Sequence, residues 1–371
     1  MEAFQPLWIA GPMIKVSYLP FRLTCLDYGA DLIYTNEIMA ENLCLASRNV
    51  NALTNTIDFV IPNDKTSIFS TSPEERHKVV VQLGVSNASV ALKSSLIVSQ
   101  DTDYIDINMG CPKRFSMSKG MGASLLNEPE RAFDILKVLR RNLPEKVKIS
   151  CKIRLKSSLE QTIAFVQGCE RSGVSSITIH ARSIEDRPAK PAQWNTFSAI
   201  QASTTIPIYM NGDLLNSTSI YQFHKQYLTS PHDNSNPLCD SKAKFVNTFP
   251  QGIMFGQLVL FFLNATTIFF FFSARGALMN PSIFSLKKHF QSVTHFSLQE
   301  RRSLHSPIQC ILKLLKHALD TNTPFQCLKW LLLQMVSDDP SLIFLSDTIK
   351  RTSHCTRFQS HVESLAQSFE K

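Results

Sequence analysis

Seven short β-branched or aliphatic runs recur along the first part of this chain with amphipathic segments between them. They are LWIA at 7–10, DLIYTNE at 31–37, VVVQLG at 79–84, DYIDINMG at 103–110, VKISCKIR at 147–154, SSITIHAR at 175–182 and IPIYMNG at 206–212. The segment PERAFDILKVLRRNL at 129–143 shows what separates them: Ala132, Ile135, Leu136 and Leu139 fall at helical spacing, with Arg131, Lys137, Arg140 and Arg141 outside that stripe. Parallel neighbours need crossover connections, so strand and helix repeated in this order predict a parallel sheet. An eight-stranded (β/α)8 barrel is its closed form. The 371 residues also leave room for a second, smaller domain with its own core.

Composition narrows the function classes. A formal charge of +8 favours an acidic partner such as a nucleic acid, without requiring one. The nine cysteines form no CxxC pair and lack the dense even spacing of a secreted disulfide scaffold, so reduced thiols are expected. No metal site is expected. The start, MEAFQPLW, has no basic region ahead of an apolar stretch, and a cytoplasmic location is the expectation.

In a (β/α)8 barrel the functional groups gather where strands end at the C-terminal face. The strand exits here carry Gly11, Pro12 and Met13, then Asn36 and Glu37, Gln82, Asn108 and Cys111, Lys152 and Arg154, His180 and Arg182, and Asn211, Gly212 and Asp213. Each alone has a bland explanation. Lys152 is the sharpest, because a lysine set among Ile149, Cys151 and Ile153 is costly to bury unless its ammonium meets an anion or a polarised carbonyl. After the fourth run comes INMGCPKRFSMSKGMGASL at 107–125, a loop too polar for a core.

These motifs resemble the tRNA-dihydrouridine synthase family, most closely the eukaryotic type that acts at position 20 of the D-loop. The resemblance lies in IAGPM, TNEIM, VQLG, DINMGCPKR with KGMGASLL, KIR, IHARSIEDRPAKPAQW, NGD and ARGALMNPSIF, spread over residues 9–284. It implies a flavin enzyme in which reduced FMN gives hydride to C6 of a uracil while a cysteine, here Cys111, protonates C5. A thiol of ordinary pKa, about 8.5, is mostly protonated at neutral pH and suits that task. Pro112 then fixes the turn that presents it, and Gly120 and Gly122 let a lid from Lys113 to Gly122 close over a flipped-out base. By the same resemblance Pro12, Met13, Ile14, Gln82, Lys152 and His180 contact FMN. Its phosphate is expected at Asn211, Gly212 and Asp213 and at Ala274 and Arg275. Asn108, Lys152, Arg154 and Arg182 hold the uracil. Glu37 matches a family position as well and is read as orienting the rim. NADPH, or NADH, is the implied reductant.

Beyond the barrel, residues 285–371 read as an all-α domain, expected to grip tRNA. IQCILKLLKHAL at 308–319 places Ile308, Ile311, Leu312, Leu315 and Leu319 on one stripe, with Lys313, Lys316 and His317 elsewhere. A monomer is expected. No double-stranded RNA-binding domain like that of eukaryotic relatives of this type is expected within the 371 residues, which leaves an accessory RNA-binding or synthetase partner open. The barrel domain, 1–284, departs from the family pattern at about 228–273, where an insertion carries no charged residue from Phe245 to Ala274. Residues 253–272 approach the ~20 apolar residues of a membrane span. Asn264, Thr266 and Thr267 interrupt them, and translated noncoding sequence is the preferred reading. If the segment is genuine, residues 268–272 are the preferred eighth strand, ahead of 252–255. The alternative function is a tRNA-binding relative that cannot hold FMN because of this insertion. Another FMN barrel, of the dihydroorotate-oxidising kind, would explain the flavin residues but neither the NMGCP loop nor the basic helical tail.

Overall fold

The computed structural model describes residues 7–63, 66–186, 189–213, 252–255, 259–260, 271–272, 277, 280–282, 284, 306–337 and 342–369. The seven anticipated strands form as β1 (Leu7–Ala10), β2 (Leu32–Tyr34), β7 (Val79–Gly84), β8 (Tyr104–Met109), β9 (Lys148–Arg154), β10 (Ser176–His180) and β11 (Ile208–Asn211). They lie side by side in chain order, all parallel, in one curled sheet that continues from β1 to β12 (Gly252–Phe255). Eight parallel strands in the cyclic order of a TIM barrel result.

The eighth strand corrects the sequence preference. Gly252 pairs with Leu7 and Phe255 with Ala10, whereas Phe271–Phe272 (β14) runs antiparallel to Val259–Leu260 (β13) in a separate sheet. The connection from β13 to β14 is shorter than the dozen or so residues that a parallel crossover needs, which fits their antiparallel pairing. The phenylalanine run otherwise falls outside the described residues, as do most of the insertion and its proposed noncoding origin.

Alternation along the strands sorts the side chains. Ile105, Ile107 and Met109 on β8, Ile149, Cys151 and Ile153 on β9, and Ile177 and Ile179 on β10 are buried against the helices. The helices are α1 (Leu19–Asp27), α2 (Ala40–Leu43), α3 (Ala88–Val98), α4 (Arg114–Met117), α5 (Ser124–Asn127), α6 (Pro129–Asn142), α7 (Leu159–Arg171) and α8 (Phe197–Ala202). In α6 the buried residues are Ala132, Ile135, Leu136 and Leu139, the stripe expected from periodicity. Asn87 and Ser158 cap α3 and α7 by accepting from Val90 N and Gln161 N.

Between β2 and β7 the chain adds β3 (Ile38–Met39), which extends alongside β7, and an antiparallel sheet of β4 (Ser47–Asn51), β5 (Thr56–Ile61) and β6 (Thr66–Thr71). A buried ion pair ties this addition to α1. Arg22 Nε and Nη2 donate to Glu75 at 2.9 and 2.5 Å, and Thr71 Oγ1 donates to Glu75 Oε1 at 2.7 Å. Both charges are out of solvent. Glu75→Gln should therefore lower stability by about 3–5 kcal/mol, because it leaves a buried guanidinium without its counter-charge. Urea unfolding of the two proteins checks this.

Four more helices follow: α9 (Pro307–Asp320), α10 (Phe325–Ser337), α11 (Leu345–Arg351) and α12 (Cys355–Phe369). Ser306 and Gln309 form a capping box at the start of α9. Ile308, Ile311 and Leu315 are buried, and Leu312 and Leu319 are half-buried, as the stripe requires. Two of the basic groups expected to face outward dock the helix instead. Lys313 Nζ and His317 Nε2 both reach Asp27 Oδ2, at 3.0 and 2.9 Å, and Lys313 lies over the Tyr28 ring.

Candidate active site

The parallel ladders set the site by register. Asn108 pairs with Lys152 and Lys152 with Thr178, while Arg154 pairs with His180 and His180 with Asn211. Paired residues point to one face, and positions two apart on a strand share it, so Asn108, Lys152, Arg154, His180 and Asn211 all turn inward at the C-terminal end. One layer deeper lie Gln82, Asp106 and Ser150, also in register.

The deeper layer is a closed polar network. Ser150 Oγ donates to Asp106 Oδ1 at 2.6 Å, Gln82 Nε2 donates to Asp106 Oδ2 at 2.9 Å, and Thr35 Oγ1 accepts from Gln82 N at 3.0 Å. Burial pushes the Asp106 carboxyl up to about 6, against the pull of Ser150, Gln82 and the Lys152 charge. Asp106 was not singled out in sequence. Its signal was a carboxylate in an otherwise apolar strand.

Asn108 builds the turn that carries Cys111. Its Oδ1 accepts from Gly110 N and Cys111 N, both at 3.0 Å, and its Nδ2 lies 3.5 Å from Gln82 Oε1. Arg154 holds the same turn from β9, with Nε donating to Gly110 O at 2.9 Å and Nη1 to Ser183 O at 2.9 Å. Gly122 closes the loop at φ +58°, where a Cβ would lie 2.5 Å from Ser116 Oγ and 2.7 Å from Cys111 O. Only glycine fits there. Lys113, Arg114 and Lys119 on this loop are exposed, and so is Phe115 on α4.

Cys111 is half-buried and free of any disulfide. Burial pushes its thiol above the ordinary value and Glu37 adds to the rise; the backbone of Lys113, the Ser116 hydroxyl and Lys152 pull less strongly the other way. Neutral pH thus finds it protonated. Lys152 is moved in the opposite sense, down to about 8, first by burial and then by the Arg154 charge. It donates no hydrogen bond among the described residues. His180 is held well below its usual range by burial and by the cations Lys152, Arg154 and Arg182, so its ring is neutral.

Arg182 is more committed to the protein than the sequence suggested. It forms an ion pair with Asp213, donates through Nε to Lys190 O at 2.6 Å, and places Nη1 3.2 Å from His180 Nε2. Asp213, at φ 53°, also accepts from Ala192 N at 2.7 Å. Gly212 has φ +124°, and a Cβ there would press on Ala192 and His180 at 3.2 and 3.3 Å. Across the barrel, the turn after β1 presents Pro12 and Met13 half-buried and Ile14 exposed, with Ser17 Oγ accepting from Met13 N at 3.1 Å. Ala274 and Arg275 lie outside the described residues.

Residues 8–229 match the family model described as dihydrouridine synthase (Dus). The chain belongs to that family. It is similar to the tRNA-dihydrouridine(20) synthase of Schizosaccharomyces pombe, with 37% identity over 55% of this chain and 44% of that protein. The Saccharomyces cerevisiae protein of the same name is 36% identical over 50% of this chain and 51% of its own length. The tRNA-dihydrouridine(20a/20b) synthase of Schizosaccharomyces pombe is 28% identical over 76% of this chain and 69% of that protein. All three names carry NAD(P)+. This Dus chain spans about half the length of the first two relatives, 44% and 51%.

Proposed function

We propose that this chain is an FMN-dependent tRNA-dihydrouridine synthase that reduces the C5=C6 bond of a D-loop uridine, at position 20, with NADPH or NADH as reductant. One observation carries the reading: a protonated thiol, Cys111, stands on a rigid turn beside an inward-facing row of polar and cationic side chains at the C-terminal mouth of a barrel. The row suits the flavin on its own chemistry. Lys152 is a largely buried ammonium with no hydrogen bond among the described residues, and it calls for an electron-rich partner such as the N1 and C2=O edge of a flavin ring.

In this reading Pro12, Met13, Ile14, Gln82, Lys152 and His180 hold the ring and ribityl chain. Asn211, Gly212 and Asp213, with Ala274 and Arg275, hold the phosphate. Bound FMN supplies the hydride for C6. The chain supplies the proton: the Cys111 S–H bond breaks and its proton passes to C5 as negative charge builds there, leaving a thiolate. Asn108, Lys152 and Arg154 orient the uracil, with Arg182 joining them only by exchanging a hydrogen bond now made within the protein. The loop from Lys113 to Gly122 closes over the base, with Phe115 and the lysines toward RNA.

The proposed division is a catalytic barrel over residues 1–284 and a helical tRNA-binding domain over 285–371, acting as a monomer in the cytoplasm. Arg351 and Arg357 are exposed on the helical part and suit phosphate. Among the described residues no helix is long and apolar enough to cross a membrane. The test is incubation of the purified protein with FMN, NADPH and unmodified tRNA, followed by mapping of dihydrouridine. Product at position 20, with activity that falls steeply as salt rises, is the expected result; no dihydrouridine at any position would overturn the reading.

A further inference from the structure

Glu37, at the exit of β2, holds neither flavin nor uracil in the proposed reaction. The ladder between β3 and β7 fixes its place, since Ile38 pairs with Leu83 and Met39 with Gly84. A Cβ on Gly84 would stand 2.8 Å from Glu37 Oε1, so the bare glycine makes room for the carboxyl. On its other side the carboxyl neighbours Asn108 and Cys111, the two groups at the exit of β8, which both act on its charge. Oε1 itself is buried without a hydrogen-bond partner among the described residues. An enclosed carboxyl with one oxygen unsatisfied is cheaper to keep neutral than charged, and burial pushes Glu37 up to about 7.

We propose that Glu37 is the proton-holding partner of Cys111, a positioning residue that keeps the thiol protonated and returns a proton to it after each reduction. This rests on the reading of Cys111 as the acid. As the new C5–H bond forms, the Cys111 S–H bond breaks and leaves a thiolate. The O–H bond of the Glu37 carboxylic acid then breaks, its proton forms a new S–H bond, and the carboxylate left behind regains a proton from water once product departs. No oxidant or further reductant enters this half of the cycle. In its ionised form Glu37 also opposes a second negative charge on the neighbouring sulfur. Lys152 on β9 acts on the same thiol in the opposite direction, while Arg154 holds the Gly110 carbonyl beside it.

The test follows alkylation of Cys111 by iodoacetamide against pH, resolved by peptide mass spectrometry, in the full chain and in Glu37→Gln. The variant should react faster at about pH 8, by roughly threefold or more, because more of its sulfur is thiolate. Well below neutral pH, where Glu37 is protonated and as neutral as glutamine, the two should react alike. Glu37→Asp, still ionisable but one methylene shorter, should fall between them and serves if Gln does not fold. With tRNA and NADPH in excess, Glu37→Gln should also keep its first turnover and lose about tenfold in steady state. Superimposable alkylation curves for all three proteins would overturn the coupling, and an unchanged steady-state rate would overturn the proton return. If the parent protein makes no dihydrouridine while the alkylation difference persists, the proposed function fails and the Glu37–Cys111 coupling stands.

Discussion

Cys111→Ala is expected to keep its flavin and to lose dihydrouridine formation by about 10²–10⁴, the usual worth of a positioned general acid. The flavin should stay because Cys111 projects from the turn rather than from the barrel wall, and that turn is built by Asn108 and Arg154 through backbone groups that alanine retains. The loss should be large because no other acid among the described residues stands on that turn. Glu37, at the exit of β2, acts through the thiol in the proposal above, and Asp106 lies a layer deeper, tied to Ser150 and Gln82. The bound flavin's absorbance and the product yield on tRNA, measured in one preparation, check both halves. Cys111→Ser should fall between alanine and the parent, since a hydroxyl is a far weaker acid than a thiol.

Lys152→Ala should act earlier, on flavin binding itself. An ammonium hydrogen-bonded to a ligand is worth about 1.5–3 kcal/mol, so flavin affinity should fall by roughly tenfold to a hundredfold. Unfolding is not the cause this account expects. The Lys152 pKa is lowered to about 8 in the folded chain from an ordinary 10.5, so the folded state resists its charge and stability rises as pH climbs between those values. Below about 8 the full cost of that charge is present, and removing it should leave the empty protein at least as stable. Flavin affinity of the parent should weaken above about pH 8 as the ammonium deprotonates, and Lys152→Ala should lose that dependence. Flavin fluorescence titration at several pH values measures both.

Much of this was legible in the sequence because strands whose outer face is buried repeat the same residue types at fixed spacing. The seven runs became β1, β2 and β7 through β11, and the α6 stripe lies where periodicity put it. The antiparallel sheet β4 to β6 was missed: SRNVN, TIDFVI and TSIFST mix polar and apolar residues and satisfy one another locally, outside the barrel's rhythm. The eighth strand was misjudged because the segment leading straight into Ala274 was preferred, and adjacency to that motif does not decide which segment pairs with β1. Within the site, residue types were readable but partners were not. That Arg182 would be taken by Asp213, that Asn108 would bind its own turn, and that Glu37 would sit against Cys111 depend on register and on Gly84, which no local pattern reveals.

The most direct measurement is an anaerobic one, in which the flavin-loaded protein is reduced with one equivalent of NADPH and mixed with unmodified tRNA. The account predicts that the oxidised flavin band returns only when tRNA is present, with one dihydrouridine formed for each flavin reoxidised. A band that stays bleached, or that returns without dihydrouridine in the RNA, would contradict it.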